Sequence, residues 1–264
     1  MSTSARLILG LAMSFIAPTT TPGSPPPAVV VAELFTSEGC SSCPPADTLM
    51  RQLADTQPFE GAEVIALEEH VDYWDRLGWR DPFSSAQFTR RQTDYNERVF
   101  RSSAVYTPQL VVDGARQCVG SDRTAVGALV AESIRTPRAG VRVQSIPVGS
   151  QLSVTVSVDV PAAVERRGVA DVFVIVAERG LVSAVSRGEN GGRTLTHGAV
   201  ARSLVPLGEL AQRDRLFART VDVAVAPNRD VGQLRIVGVI QERDSRRILG
   251  AGAAENSFRP GSDR

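Results

Sequence analysis

Residues 28–54 read Ala-Val-Val-Val-Ala-Glu-Leu-Phe-Thr-Ser-Glu-Gly-Cys-Ser-Ser-Cys-Pro-Pro-Ala-Asp-Thr-Leu-Met-Arg-Gln-Leu-Ala, and this stretch decides the fold. Ala28 to Phe35 is a short, Val-rich and nearly continuous apolar run, the pattern of a strand buried on both faces. Polar residues Thr36-Ser37-Glu38-Gly39 end it, Cys40-Ser41-Ser42-Cys43 follow, and Ala46, Leu49, Met50, Leu53 and Ala54 then recur at helical spacing. Proline is tolerated in a first helical turn because the N–H it lacks would be unpaired there anyway, so Pro44-Pro45 marks the helix entrance. The two cysteines are thereby predicted at a helix N-terminus, immediately beyond the end of a buried strand.

That position carries chemistry. Unpaired backbone N–H groups at a helix start favour thiolate over thiol and move a cysteine pKa from about 8.5 into roughly 3.5–7.5. A spacing of two intervening residues lets the second cysteine resolve a mixed disulfide formed by the first. Cys40 is therefore expected to be the exposed, attacking cysteine and Cys43 the resolving one. A pair of cysteines at this spacing is equally compatible with half of a zinc site or an inert short-range disulfide.

Outward from this segment, Glu63 to Leu67 reads as a second short strand closing on Glu68-Glu69-His70. Residues 71–101 concentrate aromatics (Tyr73, Trp74, Trp79, Phe83, Phe88, Tyr95, Phe100) in a chain otherwise poor in them, and Ser84 to Phe100 has helical texture. This segment is predicted as an insertion packed on the sheet and bordering the dithiol, with Trp74 lining a groove. Thr107-Pro108 leads into a strand over Gln109 to Val112, and Asp113-Gly114 is a turn signal before Arg116 to Val119. Ser121 or Asp122 can cap a final helix running to about Ile134.

Beyond Gly140 the pattern changes to alternation, with Leu152, Val154, Val156, Val158 and Val160 on one face and Ser153, Thr155, Ser157 and Asp159 on the other. Similar runs occupy 172–177, 220–226 and 234–240, and several short strands in series predict an antiparallel β-sandwich. The expected organisation is a signal peptide with a flexible leader (1–27), an α/β domain over 28–137 with its insertion at about 71–101, and a β-sandwich domain over 140–256. Glu189-Asn190-Gly191-Gly192-Arg193 lacks the lysine and following helix of a phosphate cradle, so it reads as a hairpin connection facing the first domain.

The order of strand, Cys40-Ser41-Ser42-Cys43 helix start, second strand, inserted helical segment, Thr107-Pro108, hairpin and closing helix resembles the thioredoxin-like superfamily. The resemblance implies an α/β thioredoxin-like fold over roughly residues 28–136. It also implies that Pro108 is a cis proline facing the dithiol and that Thr107 offers backbone groups to a bound peptide. The phrase from Glu33 through Asp47, with His70-Val71-Asp72-Tyr73-Trp74, also resembles a domain-of-unknown-function family of exported bacterial proteins. Ser-Ser stands between the cysteines where thioredoxin itself has Gly-Pro, so no redox potential is carried across.

His70 has two readings. Among Glu68, Glu69, Asp72 and Trp74 it could shuttle protons or join Cys40 and Cys43 around copper or zinc, whereas the ordinary outcome is a histidine satisfied by a carboxylate. No metal or other cofactor is expected. Cys118, inside a strand, reads as a buried inert thiol.

The rest bounds the function. Lys plus Arg equals Asp plus Glu, 29 against 29, so no global field draws in nucleic acid. Arg90-Arg91, Arg166-Arg167 and Arg246-Arg247 read as solvated surface pairs. Arg6, the apolar run Leu7 to Ile16 and Ala17-Pro18 have the layout of a secretory signal, and no later stretch is long and apolar enough to span a bilayer. The chain reads as a periplasmic or secreted thiol-disulfide oxidoreductase acting on a protein thiol or disulfide. A non-catalytic metal-binding or cell-envelope interaction module is the alternative.

Overall fold

A computed structural model describes residues 27–226 and 229–255; the expected signal peptide and leader lie outside the described residues except for Pro27. Thirteen strands and three α-helices build the described chain. The first half comprises β1 (Ala28–Thr36), α1 (Pro44–Thr56), β2 (Ala62–His70), α2 (Ala86–Arg98), β3 (Gln109–Val112), β4 (Arg116–Val119) and α3 (Arg123–Ser133). β1 and β2 run parallel, while β3 is antiparallel to β1 and β4 to β3.

β1 is buried on both faces, and its alternate residues serve different cores. Val30, Ala32 and Leu34 pack with Ala46, Leu49, Met50 and Leu53 of α1 and with Val126 and Val130 of α3. Val31 and Phe35 point the other way, toward clusters holding Phe88 and Tyr95 of α2. Helices cover both faces because the strand carries apolar side chains on both, with Glu33 the one charged residue.

The helix ends follow local chemistry. Ser85 caps α2 by accepting from Gln87 N–H at 3.2 Å, and Asp122 caps α3 by accepting from Ala125 N–H at 3.0 Å. Such side-chain oxygens satisfy donors that the first helical turn leaves unpaired. At the β3–β4 hairpin, Asp113 and Gly114 both take positive φ, 48° and 65°, as a tight primed turn requires.

The second half contributes β5 (Gly140–Val148), β6 (Gln151–Asp159), β7 (Ala170–Arg179), β8 (Val182–Ala184), β9 (Thr194–Thr196), β10 (Ala199–Leu210), β11 (Leu216–Ala224), β12 (Leu234–Glu242) and β13 (Ile248–Glu255). These strands do not stand apart from the first half. β10 pairs in parallel with β2 through Val200 and Glu68, making one eight-stranded sheet in the order β13-β12-β7-β10-β2-β1-β3-β4. A second sheet, β11-β6-β5, packs against the β13-β12-β7-β10 portion. Leu152, Val154, Val156 and Val158 of β6 point into the shared core with Val172, Val174 and Val176 of β7, and the intervening residues of β6 do not. Burial of each such side chain contributes about 1.5–3 kcal/mol.

Arg91 corrects the reading of the arginine pairs as surface. Its Nε donates to Glu33 Oε1 at 2.7 Å, its Nη2 to Tyr95 Oη at 2.8 Å and its Nη1 to Gln241 Oε1 at 3.2 Å, and the guanidinium lies over Phe173. Buried charge demands such partners, and they tie α2 to β1 and β12. Glu33, Gln241 and Phe173 are distant in sequence, so the pair reads as solvated from its neighbours alone.

Candidate functional site

The interior strand β1 delivers its C-terminal end to the turn Ser37–Ser42. Cys40 N–H donates to Ser37 O at 3.1 Å and Cys43 N–H to Cys40 O at 3.2 Å, winding the chain into α1. Cys43 is the N-cap residue, Pro44 and Pro45 form the first turn, and Cys40 and Cys43 are joined as a disulfide with their Cα atoms 5.5 Å apart. Beside it, the antiparallel register pairs Phe35 with Gln109, so Pro108 stands next to Thr36, where β1 gives way to the cysteine turn. The Thr107–Pro108 peptide bond is cis. Trp74 packs on Gly39, to whose position its Cβ would stand 3.2 Å from an added Cβ, and donates Nε1–H to Thr107 Oγ1 at 2.9 Å.

The expectation that Cys40 is exposed is overturned: Cys40 and Cys43 are both 0% exposed. The connection between β8 and β9, residues 185–193, lies against their turn. Asn190 Nδ2 donates to Glu38 O at 2.8 Å and to Cys40 O at 2.9 Å, while Ser41 N–H donates to Glu189 Oε2 at 3.0 Å. Arg193 Nη1 holds Asn190 Oδ1 at 2.8 Å, and Gly188, at φ 78°, lets the loop pass close over Trp79. These contacts span some 150 positions, and no local pattern around Cys40 announces them.

Below the turn is a buried cluster of acids and both histidines of the chain. Glu38 links the two layers. Its N–H donates to Asp81 Oδ2 at 2.8 Å, its Oε2 accepts from Trp79 Nε1 at 2.8 Å and from Ser183 Oγ at 3.3 Å, and its Oε1 lies 3.0 Å from His197 Nε2. His70 is satisfied by a carboxylate, that of Asp81, at 2.7 Å from Nδ1 rather than by its neighbours Glu68, Glu69 or Asp72. The His70 and His197 rings meet edge to face, with centroids 4.9 Å apart, and Phe83 packs on both. Glu68 accepts from Gly198 N–H at 2.8 Å through Oε1, and its Oε2 stands 3.3 Å from His197 Nδ1.

The electrostatics follow from burial and pairing. Burial alone would lower His197, but the facing carboxylates of Glu38 and Glu68 lift it to about 10. Burial also opposes the charged form of His70, and Asp81 overrides it to raise the pKa. Asp81, although buried, is held at about 2 by the His70 ring and by backbone N–H groups of Glu38 and Phe83. Asp47, accepting from Thr36 Oγ1 at 2.7 Å, is pushed up to about 7 by burial and then by the charge of Glu68.

Cys40, Cys43, Pro108, Thr107, Trp74 and His70 thus gather at one end of β1 and β2. Sequence reading missed the roles of Glu38, Asp47, Glu68, Asp81 and His197. The signal available was scarcity: a chain with two histidines buries both, and His197 follows the loop that contacts Cys40. With both sulfurs joined in the disulfide, His70 meets Asp81 at Nδ1 rather than the cysteines. Cys118 is half-buried on β4 rather than buried, and desolvation pushes its thiol up to about 11, which keeps it protonated and unreactive. A cleft of about 860 Å³ between the start of β1, the 136–142 link and Leu216–Ala218 contains none of these residues.

Fold and site together define a mixed α/β protein with a covered disulfide at a helix start and a buried histidine–carboxylate cluster beneath it. The chain belongs to the family described as protein of unknown function (DUF1223), whose model matches residues 31–241. It is similar to a crystal structure of a protein from Agrobacterium tumefaciens, at 27% identity and TM-score 0.66, covering 90% of this chain and 99% of that one. It is also similar to HBP35 of Porphyromonas gingivalis, at 13% identity and TM-score 0.63, covering 87% of this chain and 75% of that one; at this identity the likeness is one of fold. Comparison with curated proteins returned no match.

Proposed function

We propose that the protein is an exported thiol-disulfide exchange protein, with residues 28–137 as a thioredoxin-like unit and the chain from residue 140 onward as a β-sandwich unit that covers the dithiol. The observation that carries this reading is the disulfide at the start of α1, directly after the interior strand β1, with Pro108, the residue before β3, beside the turn. In exchange, a partner thiolate attacks Cys40 Sγ, forming a partner–Cys40 disulfide as the Cys40–Cys43 bond breaks and Cys43 leaves as thiolate. A second partner thiolate then displaces Cys40, so two electrons pass from the partner to the protein and the partner leaves as a disulfide. The reverse sequence reduces a partner disulfide. Helix-start N–H groups favour the leaving thiolate at either step.

Full burial of both sulfurs sets a condition: the 185–193 loop has to move before a protein partner can reach them. Export is inferred from the segment around Leu7 to Ile16, an oxidising compartment being where such a disulfide persists. Among the described residues no helix is long and apolar enough to cross a membrane. The test is exchange with a disulfide-bonded protein substrate, which the Cys40→Ser variant loses if the reading holds.

The same burial favours a second reading, a permanent clip in a non-catalytic cell-envelope module. Under that reading the native disulfide resists a small dithiol whether or not the loop is loosened.

A further inference from the structure

We propose that Glu68, His70 and His197 form a binding site for a divalent cation of the zinc class, separate from the cysteines. Each of these residues offers one ligand atom, and the three atoms lie within 4.8 Å of one another in a fully buried space. The second donor of each side chain is already engaged: His70 Nδ1 by Asp81, His197 Nε2 by Glu38, and Glu68 Oε1 by Gly198 N–H. The donors not engaged in those bonds converge: His70 Nε2 has no hydrogen-bond partner, and His197 Nδ1 and Glu68 Oε2 face each other 3.3 Å apart as an ion pair without a hydrogen bond. A buried nitrogen without a partner is costly, and His70 Nε2 is one, aimed at that pair.

The arrangement has the form a metal needs. Tetrahedral zinc binds histidine nitrogen and carboxylate oxygen at about 2.0–2.2 Å, which places neighbouring donors roughly 3.3 Å apart. His197 Nδ1 and Glu68 Oε2 are 3.3 Å apart. Ligating histidines characteristically give their other N–H to a carboxylate, which fixes the ring and raises its basicity, and both rings here have that carboxylate. Four buried acids, Glu38, Asp47, Glu68 and Asp81, surround the two imidazoles, an excess of negative charge that a divalent cation offsets. Two imidazoles and a carboxylate suit zinc over magnesium or calcium, which prefer all-oxygen shells. His197 lines a cleft of about 450 Å³ together with Arg51, Thr196 and Gly198, which gives an entry path.

The site stands independently of disulfide exchange, and the experiment separates the two. Full-chain protein stripped with a chelator is titrated with zinc, using magnesium as the control cation, and read by calorimetry and by thermal unfolding. We expect one zinc per chain, no magnesium response and a melting temperature that rises with zinc concentration. The disulfide-free Cys40→Ser/Cys43→Ser variant should keep this binding. Glu68→Gln, near-isosteric, should lose it, and Asp81→Asn, which removes no ligand, should weaken it about 10–100-fold. Absence of saturable zinc binding to the stripped wild-type protein overturns the proposal, as does binding that survives Glu68→Gln and vanishes in the cysteine variant.

Discussion

The side-chain amide of Asn190 donates to the backbone carbonyl of Cys40 at 2.9 Å, so a residue 150 positions downstream holds the turn that carries the disulfide. The same amide reaches Glu38 O, two residues before the first cysteine. The loop and the disulfide turn are therefore one hydrogen-bonded unit.

Asn190→Ala removes both bonds and frees the loop. About 1.4 kcal/mol, the net worth of one to two hydrogen bonds, multiplies the open population roughly tenfold. Reduction of the native disulfide by dithiothreitol, followed as thiols released with time, should accelerate by about that factor; an unchanged rate would show that the loop does not control access.

The disulfide should matter little to stability. A cross-link closing a four-residue loop removes little unfolded-chain entropy, about 2 kcal/mol. Cys40→Ser should lower the unfolding free energy in urea by no more than about that amount while abolishing exchange. Loss of folding instead would assign the bond a structural role.

Glu69 gives the pH dependence a sign. Burial, and then the neighbouring Glu33 carboxylate, raises its pKa well above the ordinary glutamate value, with Arg91 opposing. A group that binds its proton more tightly in the folded state than in the unfolded chain contributes stability at low pH and loses it as pH rises through the folded value. Glu69→Gln should flatten that decline, so the variant gains on wild type between about pH 5 and about pH 8 in urea titrations. A parallel offset at both pH values would refute the assignment.

Gly114 tests how the two halves are joined. Its φ is 65°, and a Cβ there would stand 2.0 Å from Arg246 O in the β12–β13 turn. Gly114→Ala combines backbone strain with a clash against main chain and should cost at least about 2 kcal/mol. A melting temperature within a degree of wild type would contradict this packing.

Local signals in the sequence are strong wherever the structure is set by near neighbours. The Val-rich run gives β1, Pro44-Pro45 opens α1, Asp122 caps α3, Asp113-Gly114 makes the hairpin, and strict alternation gives β6. Where long-range pairing decides, the sequence is silent. β10 joins β2 through the pair Val200 and Glu68, which no periodicity announces, and this junction brings His197 against His70. Arg91 looks like half of a surface pair until Glu33, Tyr95 and Gln241 close around it. Cys40 has the local context of an exposed nucleophile, yet it is buried, and the loop that holds its carbonyl is encoded at 185–193.

The most direct test of the exchange reading is a trapping measurement on Cys43→Ser, which leaves Cys40 without its resolving partner. The native variant is incubated with oxidised glutathione, and the modified cysteine is identified by mass spectrometry. The account predicts a glutathione adduct on Cys40 under native conditions, formed well ahead of any on Cys118, whose thiol sits near 11. Modification of Cys40 only after the protein is unfolded would contradict it and leave the sulfur pair as a clip.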